Sequence, residues 1–375
     1  MSTAVLAQMR EYDHEEVVFF QDKSVGLRAI VAIHDTTLGP ALGGTRMWHY
    51  ANEDEALKDV LRLSRGMTYK AAAAGLNLGG GKAVIIGDPK KDKSELLFRT
   101  YGRFLNSLNG RYITAEDVGT DVNDMEYIFM ETDYVVGIEK TQGGSGNPAP
   151  FTSLGVFQAM KVCLHEVFGE ESFKNKTVAV QGVGQVGSNL IRRLKAAGAK
   201  VLASDIDIEK LTKTQAELGF EPVDAKAIYK TPCDIFAPCA MGGVVNNETV
   251  NLLHCKIIAG SANNQLERPE HAKMLKERGI LYAPDYVVNA GGLINVYLEL
   301  EGYSRERAER MTRGIYYNLK KVLEIAKEKG ICTEDATNLM VEERLKKLAH
   351  TQTTFQPQRK TVLSHIHNRR KQYSL

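Results

Sequence analysis

The chain has 375 residues, of which 43% are hydrophobic and 25% charged, and a formal net charge of +2. That length is more than one hydrophobic core usually organises, so two domains are expected. The near balance of charge argues against a general nucleic-acid binder, and no run of about 18 apolar residues is present to span a membrane.

In chain order, Val17-Val18-Phe19-Phe20 and Leu27 to Ile33 read as two strands around the turn Asp22-Lys23-Ser24-Val25-Gly26. Glu53 to Arg65 has helical spacing, with Ala56, Leu57, Val60, Leu61 and Ser64 on one face. Ala83-Val84-Ile85-Ile86-Gly87 reads as a short buried strand closed by Asp88-Pro89, and Leu96 to Leu108 as an amphipathic helix ended by Asn109-Gly110. The stretch from Thr141 to Pro150 holds three glycines and two prolines in ten residues, which breaks any regular element. It sets the expected division into a first domain over 1–148 and a second over 149–329. A helix from Thr152 to Phe168 leads into strand Thr177–Gln181, a glycine turn, helix Val186–Ala197 and strand Lys200–Ser204, a βαβ unit. Short apolar runs at Cys233–Phe236, Lys256–Ala259 and Leu281–Ala283 look like further parallel strands. From Arg305 to about Leu348 the pattern is helical. Residues 351–375 carry Arg359, Lys360, Arg369, Arg370 and Lys371 without Asp or Glu, a solvated or subunit-facing basic tail.

The glycine turn is Gly182-Val183-Gly184-Gln185-Val186-Gly187, with a strand pattern before it and a helix pattern after it. Gly182 permits the tight turn, Gly184 lets backbone approach a pyrophosphate, and Gly187 allows close helix packing. The following helix offers free N–H groups and the positive end of its dipole to the phosphates. Asp205, 23 residues after Gly182, is placed to accept from the adenosine ribose hydroxyls and to repel a 2′-phosphate, which favours NAD over NADP.

Two lysines and a carboxylate carry the chemistry expected elsewhere. Lys70 follows Gly66-Met67-Thr68-Tyr69, Lys82 follows Gly79-Gly80-Gly81, and Asp117 closes Tyr112-Ile113-Thr114-Ala115-Glu116-Asp117. Gly79 to Lys82 is not a phosphate loop, because Ala83 follows the lysine and Asn77 stands five residues before it. The glycines read instead as a turn holding Lys82 against a small ligand. One ammonium pairs with a substrate carboxylate and, with burial, makes its neighbour a base near neutral pH. Asp117 then exchanges a proton with a substrate amine, with Glu116 as the rival carboxylate. The five cysteines, at 163, 233, 239, 255 and 332, show no C-x-x-C spacing; they suit the reducing cytoplasm, and no metal site is expected. The N-terminus lacks the basic and apolar regions of an export signal.

Thr36 to Met47, Gly66 to Lys70, Gly75 to Pro89, Asn109 to Thr120, Cys233 to Gly243, Gly260 to Leu266 and Ala283 to Val296 together resemble the Glu/Leu/Phe/Val amino-acid dehydrogenase family over nearly the whole chain. The resemblance implies an α/β chain of two domains. The first binds the amino acid and mediates oligomerisation. The second is a doubly wound Rossmann domain for NAD, and C-terminal helices over 330–375 return to the first. It implies a cleft that closes on substrate, and reversible oxidative deamination to a 2-oxo acid and ammonium. It assigns the α-carboxylate to Lys70, water activation to Lys82 and the amine proton to Asp117. Asn264 also holds substrate, Thr152 and Asn263 lie by the nicotinamide, and Ala240 joins the cofactor site. Gly43 belongs to the substrate site, and Leu42, Met67, Ala115, Leu293 and Val296 line the side-chain pocket. An apolar pocket disfavours a γ-carboxylate, and glutamate-specific members carry lysine where this chain has Leu42. Ala115 and Gly146-Asn147-Pro148 point to leucine and other branched-chain substrates, while Leu293 and Tyr297-Leu298-Glu299 depart toward a phenylalanine-type pattern. A homo-oligomer, an octamer foremost, is implied, with Val17–Ile33 as a pairing edge. A 2-hydroxy-acid dehydrogenase would favour a histidine–carboxylate pair that His34 and His49 do not form. A non-catalytic NAD-binding regulator would be expected to lose Lys82 or Asp117.

Overall fold

A computed structural model describes residues 5–350, so the basic tail lies outside the described residues. The chain forms two compact units. One takes residues up to Gly146, Asn295–Arg305 and the described residues from Val341 on; the other takes Asn147–Ile294 and Glu306–Met340. The sequence suggested a division at 148 and a single return to the first domain over 330–375, whereas the contacts give the first unit two returns, at 295–305 and from Val341 on, and leave 306–340 with the second. Residues 295–305 return because Tyr297, Leu298 and Leu300 are buried and because the Glu299 carboxylate accepts from the Gly137 amide and from the Ser145 amide and hydroxyl. The later stretch returns through Arg344, whose guanidinium donates to the carbonyls of Ala72 and Leu76. Such carbonyls at a helix end lack intrahelical partners.

The first unit contains, in order, α1 (Val5–Tyr12), β1 (Glu16–Asp22), β2 (Leu27–Asp35), β3 (Ala41–Trp48), α2 (Glu53–Ala73), β4 (Gly79–Ile86), α3 (Glu95–Ser107), β5 (Tyr112–Glu116) and α4 (Val122–Phe129). β1 and β2 pair as the antiparallel hairpin expected, turning at Gly26 with φ 71°. α2 starts where Asn52 caps the Glu55 amide, behind an acidic first turn that suits the helix dipole. The sheet order is β1-β2-β4-β3-β5, antiparallel across β1-β2-β4 and parallel across β4-β3-β5.

Strand alternation sorts this sheet into two faces. Ala29, Val31, Ile33, Met47, Ala83 and Ile85 face the α3/α4 side and pack with Phe98, Tyr101, Leu105 and Ile128. Ile30, Ala32, Val84 and Ile86 face α2 and pack with Ala56, Leu57, Val60 and Leu61. Lys82 has the parity of Val84 and Ile86, so it points to the α2 face.

Gly79, Gly80 and Gly81 correct the expectation of a glycine turn: all three lie inside β4. Their missing side chains serve packing. A Cβ on Gly79 would strike the Asp35 carbonyl, one on Gly80 the Thr68 amide, and one on Gly81 would lie 2.6 Å from the Tyr112 ring.

The second unit follows with α5 (Ala149–Phe168), β6 (Thr177–Gln181), α6 (Gln185–Ala196), β7 (Lys200–Ser204), α7 (Ile208–Leu218), β8 (Glu221–Pro222), β9 (Ile235–Pro238), β10 (Ile257–Ile258) and β11 (Leu281–Tyr282). Its six strands are all parallel, in the order β11-β10-β9-β6-β7-β8. The chain winds outward from β6 to one edge, then from β9 to the other. The β6/β9 boundary is therefore a switch point, where ligands bind in doubly wound sheets.

Candidate active site

In the first unit, β3, β4, β5 and α2 converge on a buried ion pair. Lys82 Nζ lies 2.8 Å from Asp117 Oδ1, with the lysine side chain 6% exposed and the aspartate 23%. Asp117 is the first residue beyond β5. Its amide donates to Thr120 Oγ1, and Thr120 Oγ1 donates to the Thr45 carbonyl, which anchors this turn to β3. Asp117 fits close to β3 because Gly44 has no side chain: a Cβ there would lie 2.8 Å from the Asp117 Cβ. Glu116, the rival carboxylate, is exposed, and it is Asp117 that meets Lys82.

Burial lowers the Lys82 pKa, since a charged ammonium loses its water; Asp117 opposes the shift without cancelling it. Burial raises Asp117, but Lys82 and Arg46 outweigh it and hold the carboxyl below its usual range. Asp117 thus rests as an anion, beside a lysine that gives up its proton more readily than an exposed one.

Most of the other first-unit candidates lie on β3, β5 and α2. Leu42 is buried in β3, and Gly44 pairs with Ala115 across β3 and β5. A Cβ on Gly43 would lie 3.3 Å from Met67 Cγ. The contact of Gly80 with Thr68 brings the Met67–Lys70 stretch of α2 against β4, with Lys70 half-buried in the last turn of that helix. Val296 belongs to this unit, and Leu293, one turn earlier, to the second. Arg46 and Asp59 were missed. Arg46 donates to both Asp59 and Asp117, at 2.8 and 2.9 Å.

In the second unit the glycine loop lies at the switch point. Gly182 has φ 97°, and a Cβ on it would lie 2.7 Å from that of Ala240, which brings Ala240 against the loop. A Cβ on Gly187 would strike the Gly182 carbonyl, so α6 can begin this close to β6 only with glycine there. Gly184 caps α6, and a Cβ on it would have no neighbour nearer than Lys210 Nζ at 3.8 Å. That open backbone and the bare helix N-terminus fit a pyrophosphate. Gln185 and Val186 form the first turn of α6. Asp205 accepts from the Val183 amide at 2.9 Å and lies 3.5 Å from Lys210 Nζ. A carboxylate has further lone pairs for ribose hydroxyls. Thr152 lies in the first turn of α5 and donates to the Pro148 carbonyl. Asn263 accepts from Asn289, and Asn264 is exposed with φ 52°.

A glycine-loop Rossmann unit and a buried lysine–aspartate site in one chain make the composition of a nicotinamide-dependent dehydrogenase. The model described as Glu/Leu/Phe/Val dehydrogenase, dimerisation domain, matches residues 14–134, and that of the glutamate/leucine/phenylalanine/valine dehydrogenases matches 143–209 and 203–352. The chain belongs to this family of amino-acid dehydrogenases. It is 57% identical over 347 residues to the leucine dehydrogenase of Geobacillus stearothermophilus, covering 92% of this chain and 95% of that one. It is 56% identical over 355 residues to the leucine dehydrogenase of Thermoactinomyces intermedius, covering 94% and 97%. Among solved structures, L-tryptophan dehydrogenase from Nostoc punctiforme superposes with a TM-score of 0.82 at 47% identity, covering 92% of this chain and 99% of that one.

Proposed function

We propose that the protein is an enzyme of the leucine dehydrogenase type, which oxidatively deaminates L-leucine and other branched-chain L-amino acids with NAD, reversibly. The observation that carries this reading is the Lys82–Asp117 pair at 2.8 Å. When bound, the nicotinamide supplies the acceptor for the hydride that leaves the substrate Cα. Lys70 pairs its ammonium with the α-carboxylate and orients the amino acid. Asp117 takes the amine proton as the C=N bond forms. Lys82, made more acidic by burial, accepts a proton from the water that adds to the imine carbon. Asp117 returns its proton to nitrogen, the C–N bond breaks as C=O forms, and the carbinol O–H proton passes to the departing ammonia, so that ammonium and a 2-oxo acid are released. Asn264 adds a hydrogen bond to the substrate, and Thr152, Asn263 and Ala240 serve the cofactor.

Substrate choice follows from Leu42, Gly43, Met67, Ala115, Leu293 and Val296, none of which offers a partner to a γ-carboxylate. NAD is preferred over NADP because the Asp205 carboxylate, held ionised against burial by the Val183 and Asp207 amides, repels a 2′-phosphate. The protein works in the cytoplasm as a homo-oligomer, an octamer foremost. Support for assembly comes from the dimerisation-domain match over 14–134 and from β1, which among the described residues is an edge strand of its sheet.

Initial rates of NAD reduction with leucine, valine, isoleucine, phenylalanine, tryptophan and glutamate test the proposal. The highest kcat/KM is expected on the aliphatic set. A maximum on phenylalanine or tryptophan would overturn the substrate assignment, and no turnover on any of the six would overturn the enzyme.

A further inference from the structure

Arg46 stands on β3 and is gripped from two directions. Its Nη1 donates to Asp59 Oδ2 at 2.8 Å, and its Nε donates to Asp117 Oδ2 at 2.9 Å. Asp59, on α2, is itself braced: the Tyr50 hydroxyl donates to Oδ2 at 2.8 Å, and Arg62 reaches Oδ1 at 3.3 Å. The Asp117 carboxylate is therefore bound on both oxygens, Oδ2 by a guanidinium from one strand and Oδ1 by the Lys82 ammonium from the next.

We infer that Arg46, braced by Asp59, is a positioning residue for the reaction, fixing the plane of the Asp117 carboxylate so that Oδ1 is presented to Lys82. This rests on the reading of Lys82 and Asp117 as the reacting pair.

Three physical points carry it. Asp117 lies on a turn, one residue beyond the last ladder position of β5, so the strand ladder does not itself orient its side chain. A carboxylate held by one ammonium can still swivel about that contact, and a second cation from another direction removes the freedom. Only a planar guanidinium offers separate N–H groups to Asp59 and Asp117 at fixed angles; a lysine ammonium is a point charge on a flexible stem. Arg46 is moreover carried by a strand paired on both sides, so its own position is set by the sheet.

The arrangement also acts on charge. Three charged groups face Lys82: Asp117 from the turn after β5, Arg46 from β3 and Asp59 from α2; Glu116, on the same stretch as Asp117, is near both Asp117 and Asp121. The guanidinium disfavours a second positive charge on Lys82, while the two carboxylates favour it. Without Arg46 the carboxylates act unopposed, and Lys82 becomes harder to deprotonate.

The test is the pH profile of kcat/KM for leucine oxidation in the wild type, R46M, R46K and D117N. Because Lys82 reacts in its neutral form, loss of Arg46 moves the acid limb to higher pH. In R46M a rise of about one unit is expected, with kcat/KM lower by about 100-fold. R46K retains the charge, so its limb stays in place while kcat/KM is lower by about tenfold from lost geometry. A folded R46M with the wild-type limb overturns the inference, since a merely structural defect lowers the active fraction without moving the profile. If R46M does not fold, R46K decides: wild-type kcat/KM in that variant overturns the inference. D117N separates the two levels. If D117N is inactive while the Arg46 variants match the wild type, only the role of Arg46 falls. A fully active D117N removes Asp117 from the chemistry, and Arg46 with it.

Discussion

Gly80 and Thr68 leave no room for a carbon between them: a Cβ on Gly80 would overlap both the Thr68 amide nitrogen and its Oγ1. Thr68 is in turn tied to His34 Nδ1 at 2.8 Å, so the α2 backbone is held against β4 at this point. Gly80→Ala is expected to destabilise the first unit by about 3 kcal/mol, at the upper end for overpacking, because backbone rather than a flexible side chain must move. Urea unfolding measures it, and a wild-type midpoint would show that α2 can slide along the sheet.

Lys82→Ala should lower kcat by about 10²–10⁴, the usual contribution of a positioned acid–base group. Titration of NAD into the same variant should give an affinity close to that of the wild type. A large fall in both would mean that Lys82 holds the fold and not the reaction.

Acid should destabilise the protein through His14. Burial first, then the neighbouring His34, lower its pKa from 6.5 to about 4. Its Nε2 contacts Ser64 Oγ at 2.7 Å, and its ring lies 4.9 Å from that of His34. Between pH 6.5 and 4 the unfolded chain binds the proton and the folded one does not, so stability falls as pH falls through that window. The melting temperature of His14→Gln should decline less between pH 7 and 5 than that of the wild type. A slope as steep as the wild-type one would assign the acid sensitivity elsewhere.

Lys210, 3.5 Å from Asp205, partly offsets the negative charge expected to exclude a 2′-phosphate. Lys210→Ala should therefore lower kcat/KM with NADP more than with NAD, whereas Asp205→Ser should weaken NAD more than NADP. Steady-state ratios for the two cofactors check both, and an unchanged ratio in both variants would place cofactor selection outside this pair.

The βαβ unit around Gly182 was legible because each strand and helix carried its own local pattern. So were the hairpin of β1 and β2 and the start of α2. β3 left no such trace: Gly43, Gly44 and Arg46 give it little strand propensity, and its existence depends on β4 and β5 pairing on either side. The Gly79–Gly81 run misled for a related reason. Glycine signals a turn locally, but here it answers to contacts with Asp35, Thr68 and Tyr112, each remote or on another element. Asp59 was invisible as a site residue, since on α2 it looks like any acidic residue on a helix surface. Residues 295–305 were hidden likewise, because the carboxylate of Glu299 is explained only by Gly137 and Ser145, about 150 positions earlier.

Lys82 belongs to a strand bonded to neighbours on both sides, and its reach is fixed by that lattice. In its proposed role such a base does not follow the substrate, so adaptation to a new amino acid is expected to fall to residues such as Ala115 and Val296. Evolution, or a directed library, can exchange those positions for bulkier or smaller ones while the proton chemistry stays where it is. Specificity and reactivity then become separate heritable traits of one chain.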